Sequence, residues 1–159
     1  MNRLSHLQIR FSHDHKRALY AIFLTLWLSG ALWLLFHYFL QFPGDFGPQP
    51  HPLQQWWLRL HGLAAFATLV AIGSVLPIHA RRAWQLKKNR ASGLSMKVVS
   101  FWLAITGYAL YYFSSDANAA WLPLSHWIIG LALPLLLVLH IKRGRSRAKF
   151  LHKPVSAQR

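Results

Sequence analysis

Long uninterrupted apolar runs constrain this chain more than any other feature. Ala18 to Phe42 reads ALYAIFLTLWLSGALWLLFHYFLQF, with no charged side chain. About twenty such residues, wound as a helix, cross the roughly 30 Å hydrocarbon core of a bilayer. A second run, WWLRLHGLAAFATLVAIGSVLPIH, extends from Trp56 to His79 and is broken only by Arg59. The third covers Leu94–Phe113 and is less pure, with Ser95, Lys97 and Ser100 near its start. The fourth, WLPLSHWIIGLALPLLLVLHI, covers Trp121–Ile141, with Pro123 near a first-turn position. The runs are continuous and rich in Leu and Ala, which argues against the alternating strands of a membrane barrel. The expected fold is therefore all-α: an integral membrane four-helix bundle over residues 18–143. Basic segments, 1–17 and 144–159, flank it.

Composition narrows the class further. Hydrophobic residues make up 54% of the 159, which excludes disorder, and their blocking argues against a conventional soluble enzyme. The formal net charge is +15, yet nucleic-acid-binding domains do not carry apolar runs of this length. No nucleic-acid partner is expected. The chain contains no Cys, so thiolate metal sites, disulfides and Cys nucleophiles are excluded.

Orientation follows from the cations. Of the 18 Lys and Arg, all but Arg59 precede the first run, lie between the second and third or at the start of the third, or follow the fourth. Asp45 and Asp116 fall in the opposite loops. By the positive-inside rule both termini are cytoplasmic and loops 43–55 and 114–120 face outward, as in a multi-pass protein of a bacterial inner membrane. The first run is too long for a signal-peptide core and lacks an A-x-A site before Pro43, so an uncleaved anchor is expected. Phe36, Tyr38, Phe39, Trp56, Trp57, Tyr111, Tyr112, Phe113 and Trp121 collect at the outer ends, where an aromatic belt belongs. The basic tail reads as a solvated stop-transfer segment touching anionic lipid.

Five of the 10 His lie in the runs: His37, His61, His79, His126 and His140. Ionisable groups inside a membrane are costly and point to function. His61 and His79 are separated by five full helical turns at about 100° per residue, so they face one way. His126 and His140 miss coincidence by only about 40°. His61 and His126 then share the outer level, and His79 and His140 the inner. Two stacked imidazole pairs suit two six-coordinate haems, each iron held between two helices. Ala65, Thr68 and Ile72 on one face, and Gly130, Leu133 and Leu137 on the other, would leave room for a macrocycle and exclude water. Gly62 and Gly130, with Gly30 and Gly107 in the other helices, are candidate close-approach points. Cations follow both inner histidines, Arg81 and Arg82 after His79, Lys142 and Arg143 after His140, and are candidate propionate partners. Arg59, two residues from His61, is the outer candidate. The heights do not match: His61 to His79 rises about 27 Å and His126 to His140 about 21 Å. Differential tilt, or bending at Pro134 or Pro77, must absorb the difference, or only one haem is held. His37 is a substitute ligand or a quinone or propionate contact. His13-Asp14-His15 reads as a juxtamembrane segment, and the absence of acids from the runs argues against a cation pathway.

LRLHGLAAFATLVAIGSVLPIHARRAW on the second helix and SHWIIGLALPLLLVLHIKRG on the fourth resemble small bacterial membrane cytochromes b of the cytochrome b561 superfamily and related four-helix families. The resemblance covers roughly 18–143. The fourth-helix spacing is similar to that of dihaem cytochromes b, and the second-helix spacing departs from it. The resemblance implies an electron-transfer subunit with b haem. Such a subunit passes electrons between a quinone pool or cytoplasmic-side donor and a periplasmic cytochrome or oxidoreductase. The alternatives are a cofactor-free membrane accessory or assembly subunit and a single-haem quinol oxidoreductase subunit. The cation split predicts that a reporter fused after Arg159 reads cytoplasmic and one inserted near Pro48 reads periplasmic. Reversed labelling contradicts the orientation.

Overall fold

A computed structural model describes residues 12–80, 84, 85 and 89–151. Four long helices follow one another: α1 (His13–Tyr38), α2 (Pro52–Val75), α3 (Arg90–Tyr112) and α4 (Trp121–Leu151). Each contains a stretch long and apolar enough to cross a membrane, so by length and composition this is an all-α, multi-pass membrane protein. The chain falls into two compact units, 1–71 and 72–159, with the boundary inside α2.

Burial is the reverse of that in a water-soluble domain. Phe66, Leu63, Phe101 and Leu135 are exposed, while Ser29, Thr68, Ser92 and Thr106 are buried with Ala64, Ala71 and Leu122. Lipid solvates large apolar side chains as well as a protein core does. Helices in a membrane therefore meet through small and hydroxyl residues that let backbones approach and hydrogen-bond. The buried positions of α2 (Ala64, Thr68 and Ala71) form one helical stripe with His61.

The helix ends are set by local chemistry. Ser12 caps α1 by accepting a bond from the His15 N–H at 3.1 Å. The first apolar run continues to Phe42, but α1 stops at Tyr38 because Phe42 pairs with Gln49 across the connecting loop, at 2.9 and 2.7 Å. The turn between them places Gly47 at φ +106°, a conformation that favours glycine. Pro52 opens α2, and His51 Nδ1 caps it by accepting from the Leu53 N–H at 3.0 Å. Arg90 anchors the start of α3 by donating to the Trp84 carbonyl at 2.8 and 3.2 Å. Before α4, Asn118 holds the loop, accepting from Ser115 N–H and donating to the Phe113 carbonyl.

Two features depart from the sequence expectation. Leu76–Ala80 is a π-helical turn. Pro77 has no N–H to give the Gly73 carbonyl, and the chain answers by widening its turn. Each residue there rotates less than in an α-helix, so the five-turn coincidence of His61 with His79 does not run through to His79. The second departure is α4, which continues beyond the apolar run to Leu151 with Pro134 inside it. At about 1.5 Å per residue it is some 46 Å long, well beyond the hydrocarbon thickness.

Candidate functional site

In the second unit, α3 and α4 pack along each other, and their contact is stapled by two histidines. His126 Nδ1 lies 2.8 Å from Thr106 Oγ1, and His140 Nδ1 lies 3.1 Å from Ser92 Oγ. Thr106 and Ser92 are separated by the same number of residues as His126 and His140, so a single antiparallel register closes both bonds. In the first unit, His61 on α2 makes the equivalent contact with α1. Its Nδ1 lies 3.2 Å from Ser29 Oγ and 3.0 Å from the Leu26 carbonyl.

A glycine follows the hydroxyl residue in all three cases. A Cβ on Gly30 would stand 2.9 Å from His61 Cε1, and one on Gly107 would stand 3.2 Å from His126 Cε1. At Gly93 the distance to His140 Cε1 is 4.0 Å. Ser29-Gly30, Ser92-Gly93 and Thr106-Gly107 are the only Ser-Gly or Thr-Gly dipeptides in the chain. Each sits opposite a histidine: the glycine lets the imidazole lie against the helix backbone, and the hydroxyl holds Nδ1. Gly30 and Gly107 thus act as expected from sequence. Gly62 has nothing within 4 Å, and Gly130 meets only Leu103 at 3.8 Å.

Each hydroxyl also faces a carbonyl of its own helix. Ser29 Oγ donates to the Leu26 carbonyl at 3.0 Å, Thr106 Oγ1 to the Trp102 carbonyl at 2.8 Å, and Ser92 Oγ to the Asn89 carbonyl at 3.3 Å. A hydroxyl has one proton, and each of these is spent on its own helix. A histidine facing a hydroxyl so engaged is the donor, from Nδ1. At His61 the Leu26 carbonyl, which can only accept, enforces the same assignment. His61 thus carries the proton on Nδ1, and the same arrangement at His126 and His140 suits the same form, with the lone pair on Nε2. That is the form in which a neutral histidine ligates a metal, with its other ring N–H oriented by a partner group.

His79 and His140 come together in the second unit, with ring centroids 6.2 Å apart and planes at 72°. Two imidazoles sharing one metal ion at about 2 Å from each nitrogen have centroids about 6 Å apart. His79 itself is exposed, in the π turn. Arg81 and Arg82, expected beside it as propionate partners, lie outside the described residues.

His37 is held differently. Gln54 Nε2 donates to its Nδ1 at 3.1 Å, which puts the His37 proton on Nε2 and leaves no lone pair there for a metal. Its ring stacks on Trp33 at 4.7 Å and 11°. Arg59 stands over the Trp56 ring, 5.1 Å from its centroid, a cation–π contact at an exposed position.

Among the described residues, no three of His, Asp and Glu gather into a group able to hold a metal ion. A metal bound here would rest on paired imidazoles, with other ligands brought by its own macrocycle. No family model, characterised relative or solved structure matches the chain.

The glycine geometry orders a set of alanine substitutions. Gly30→Ala drives a Cβ into the His61 ring and costs about 1–3 kcal/mol, as overpacking does. Gly107→Ala costs less, and Gly93→Ala little. Gly62→Ala, with open space around it, gains up to about 1 kcal/mol of helix propensity. Unfolding of the four variants in mixed micelles checks the order. Equal stability of Gly30→Ala and Gly62→Ala contradicts it.

Proposed function

We propose that this protein is a membrane electron-transfer cytochrome b, with His61, His126, His140 and His79 as axial ligands through Nε2. The observation that carries the reading is the shared partner geometry. His61, His126 and His140 each set Nδ1 against a hydroxyl on a neighbouring helix, which suits the Nδ1–H form. A structural histidine needs only satisfied nitrogens. Three with the same Nδ1 partner, each against a glycine, match what ligation requires. The chemistry of the donors also suits b haem: neutral imidazoles, and no acid in any of the four apolar runs. The Thr68 hydroxyl, on the His61 stripe, is buried without a hydrogen-bond partner in the described structure and is a polar contact for a bound group.

Bound between such histidines, b haem supplies a one-electron couple. The chain's own part is to hold each imidazole rigidly. A hydrogen bond from Nδ1–H to a hydroxyl also makes Nε2 a stronger donor, which tunes the couple. Large apolar side chains around these helices keep water out. For the inner pair, the 6.2 Å approach of His79 and His140 is the support. For the outer pair, His61 with His126, the support is the helical facing read from the sequence. His37, as the Nε2–H tautomer, is placed outside the ligand set, and Arg59, engaged with Trp56, is no more than a rim contact for a propionate. The resemblance to the cytochrome b561 superfamily and the cation distribution complete the proposal. Both termini are cytoplasmic in a bacterial inner membrane, and electrons pass between a quinone pool or cytoplasmic donor and a periplasmic redox partner.

A second reading is favoured by one observation. His79 is exposed in a π turn, a weak base for an axial ligand, and without it the protein holds a single haem. Purified protein distinguishes the readings. The two-haem reading predicts a reduced-minus-oxidised b-type spectrum with two haems per chain, one of them lost in His140→Leu and one in His126→Ala. His37→Ala keeps full low-spin ligation. One haem per chain that is indifferent to His140→Leu establishes the single-haem carrier. Absence of any b-type signal ends the haem proposal and leaves a cofactor-free accessory subunit.

A further inference from the structure

Between two cross-helix contacts of the first unit lies a layer with two unpartnered donors. One contact is Ser29 with His61, at 3.2 Å, and the other is Gln54 with His37, at 3.1 Å, nearer the 39–51 loop. Trp33 stands one turn from Ser29 and one turn from His37 on the same face of α1. Trp57 stands one turn from His61 on α2, three residues from Gln54. Residues that meet across antiparallel helices on both sides of a level fix what faces inward at that level. Trp33 and Trp57 are therefore both turned into the α1–α2 contact. Ring contacts agree: Trp33 stacks on His37, and Trp57 lies 6.3 Å from Phe36 of α1.

Both indole Nε1 atoms are buried and neither has a hydrogen-bond partner. An indole N–H can only donate, and a buried donor left unpaired is costly enough that native structures rarely tolerate it. Two in one layer, with His37 stacked on Trp33 and Phe36 beside Trp57, offer N–H donors among aromatic rings. Among the described residues, no carboxylate or carbonyl side chain is bonded to either indole. What such a surface recognises is an oxygen that only accepts.

We propose that Trp33 and Trp57 form a binding site for the acceptor oxygen of a small molecule, a carboxylate or a conjugated carbonyl. Two sources have that chemistry. A carboxylate is the propionate of a haem held at His61, and this source rests on the function proposed above. A carbonyl is the head group of a membrane quinone, and this source stands without that function. Phenylalanine at either position keeps the ring's apolar packing and removes only the N–H, so Trp33→Phe and Trp57→Phe test the donors and not the fold. Trp121→Phe, at an exposed position at the start of α4, is the control.

The experiment uses the full chain in lipid nanodiscs, with two readouts. Isothermal titration with a short-chain alkyl benzoquinone tests the carbonyl source. The expected result is saturable binding, weakened about five- to tenfold by each single substitution and unaffected by Trp121→Phe. The midpoint potential and its pH dependence test the carboxylate source. In that case the quinone does not bind, and both substitutions shift the potential and alter its pH dependence while the low-spin spectrum is unchanged. Either result supports the site. If neither the quinone affinity nor the potential responds beyond the control, the indoles are met by lipid or water and the proposal is wrong. A preparation without b-type absorbance refutes the haem function separately; the quinone titration then decides the site alone, and absence of binding overturns it.

Discussion

The hydrogen bond from an imidazole Nδ1–H to a hydroxyl on the next helix is the interaction on which the rest of this structure depends. In an aqueous protein it would be one weak contact among many. In helices whose large side chains face outward, few other forces select which faces meet. His126 with Thr106 and His140 with Ser92 set the register of α3 against α4, and His61 with Ser29 sets that of α1 against α2. The same bond bears on the chemistry: with the proton on Nδ1, the basic nitrogen of each ring is Nε2. Packing and ligand chemistry are thus governed by the same few atoms.

That economy explains why the buried residues are polar and small. Ser29, Ser92, Thr106 and Thr68 are buried, whereas Phe66, Phe101 and Leu135 are not. A helix can hide a hydroxyl in an apolar medium because the hydroxyl returns its own proton to a carbonyl one turn back. The adjoining glycine removes the one atom that would hold the imidazole off. At Gly30 a Cβ would meet the ring at 2.9 Å, so histidine and glycine are fitted to each other as a pair.

Much of this was legible in the sequence. The four apolar runs gave the four helices, and the histidines stood out because ionisable groups are rare inside such runs. Gly30 and Gly107 were read as close-approach points and are. Ser29, Ser92 and Thr106 were missed, although the Ser-Gly and Thr-Gly dipeptides were a visible signal; a hydroxyl inside an apolar run reads as neutral until its partner on another helix is known. Gly62 was misread because a glycine beside a histidine in sequence projects from a different face of the helix. The π turn at Leu76–Ala80 was hidden for a different reason. Pro77 announces a disturbance of the helix, but whether the chain kinks or widens depends on tertiary context. His37 shows the same limit: its difference from the other histidines lies in its partner Gln54, on another helix.

The tautomer of these histidines is the central claim, and nitrogen NMR reads it directly. In bilayer-embedded protein labelled with 15N-histidine, as isolated and after removal of any bound chromophore, the assignment predicts that His61, His126 and His140 carry the proton on Nδ1 and an unprotonated Nε2. His37 should show the opposite pattern. Replacing Thr106 with Val should release His126 from that form while leaving His140 in it. If His61, His126 and His140 are instead protonated at Nε2 with a bare Nδ1, the hydroxyls are donors to the rings, Nε2 is not set up for metal, and the account fails.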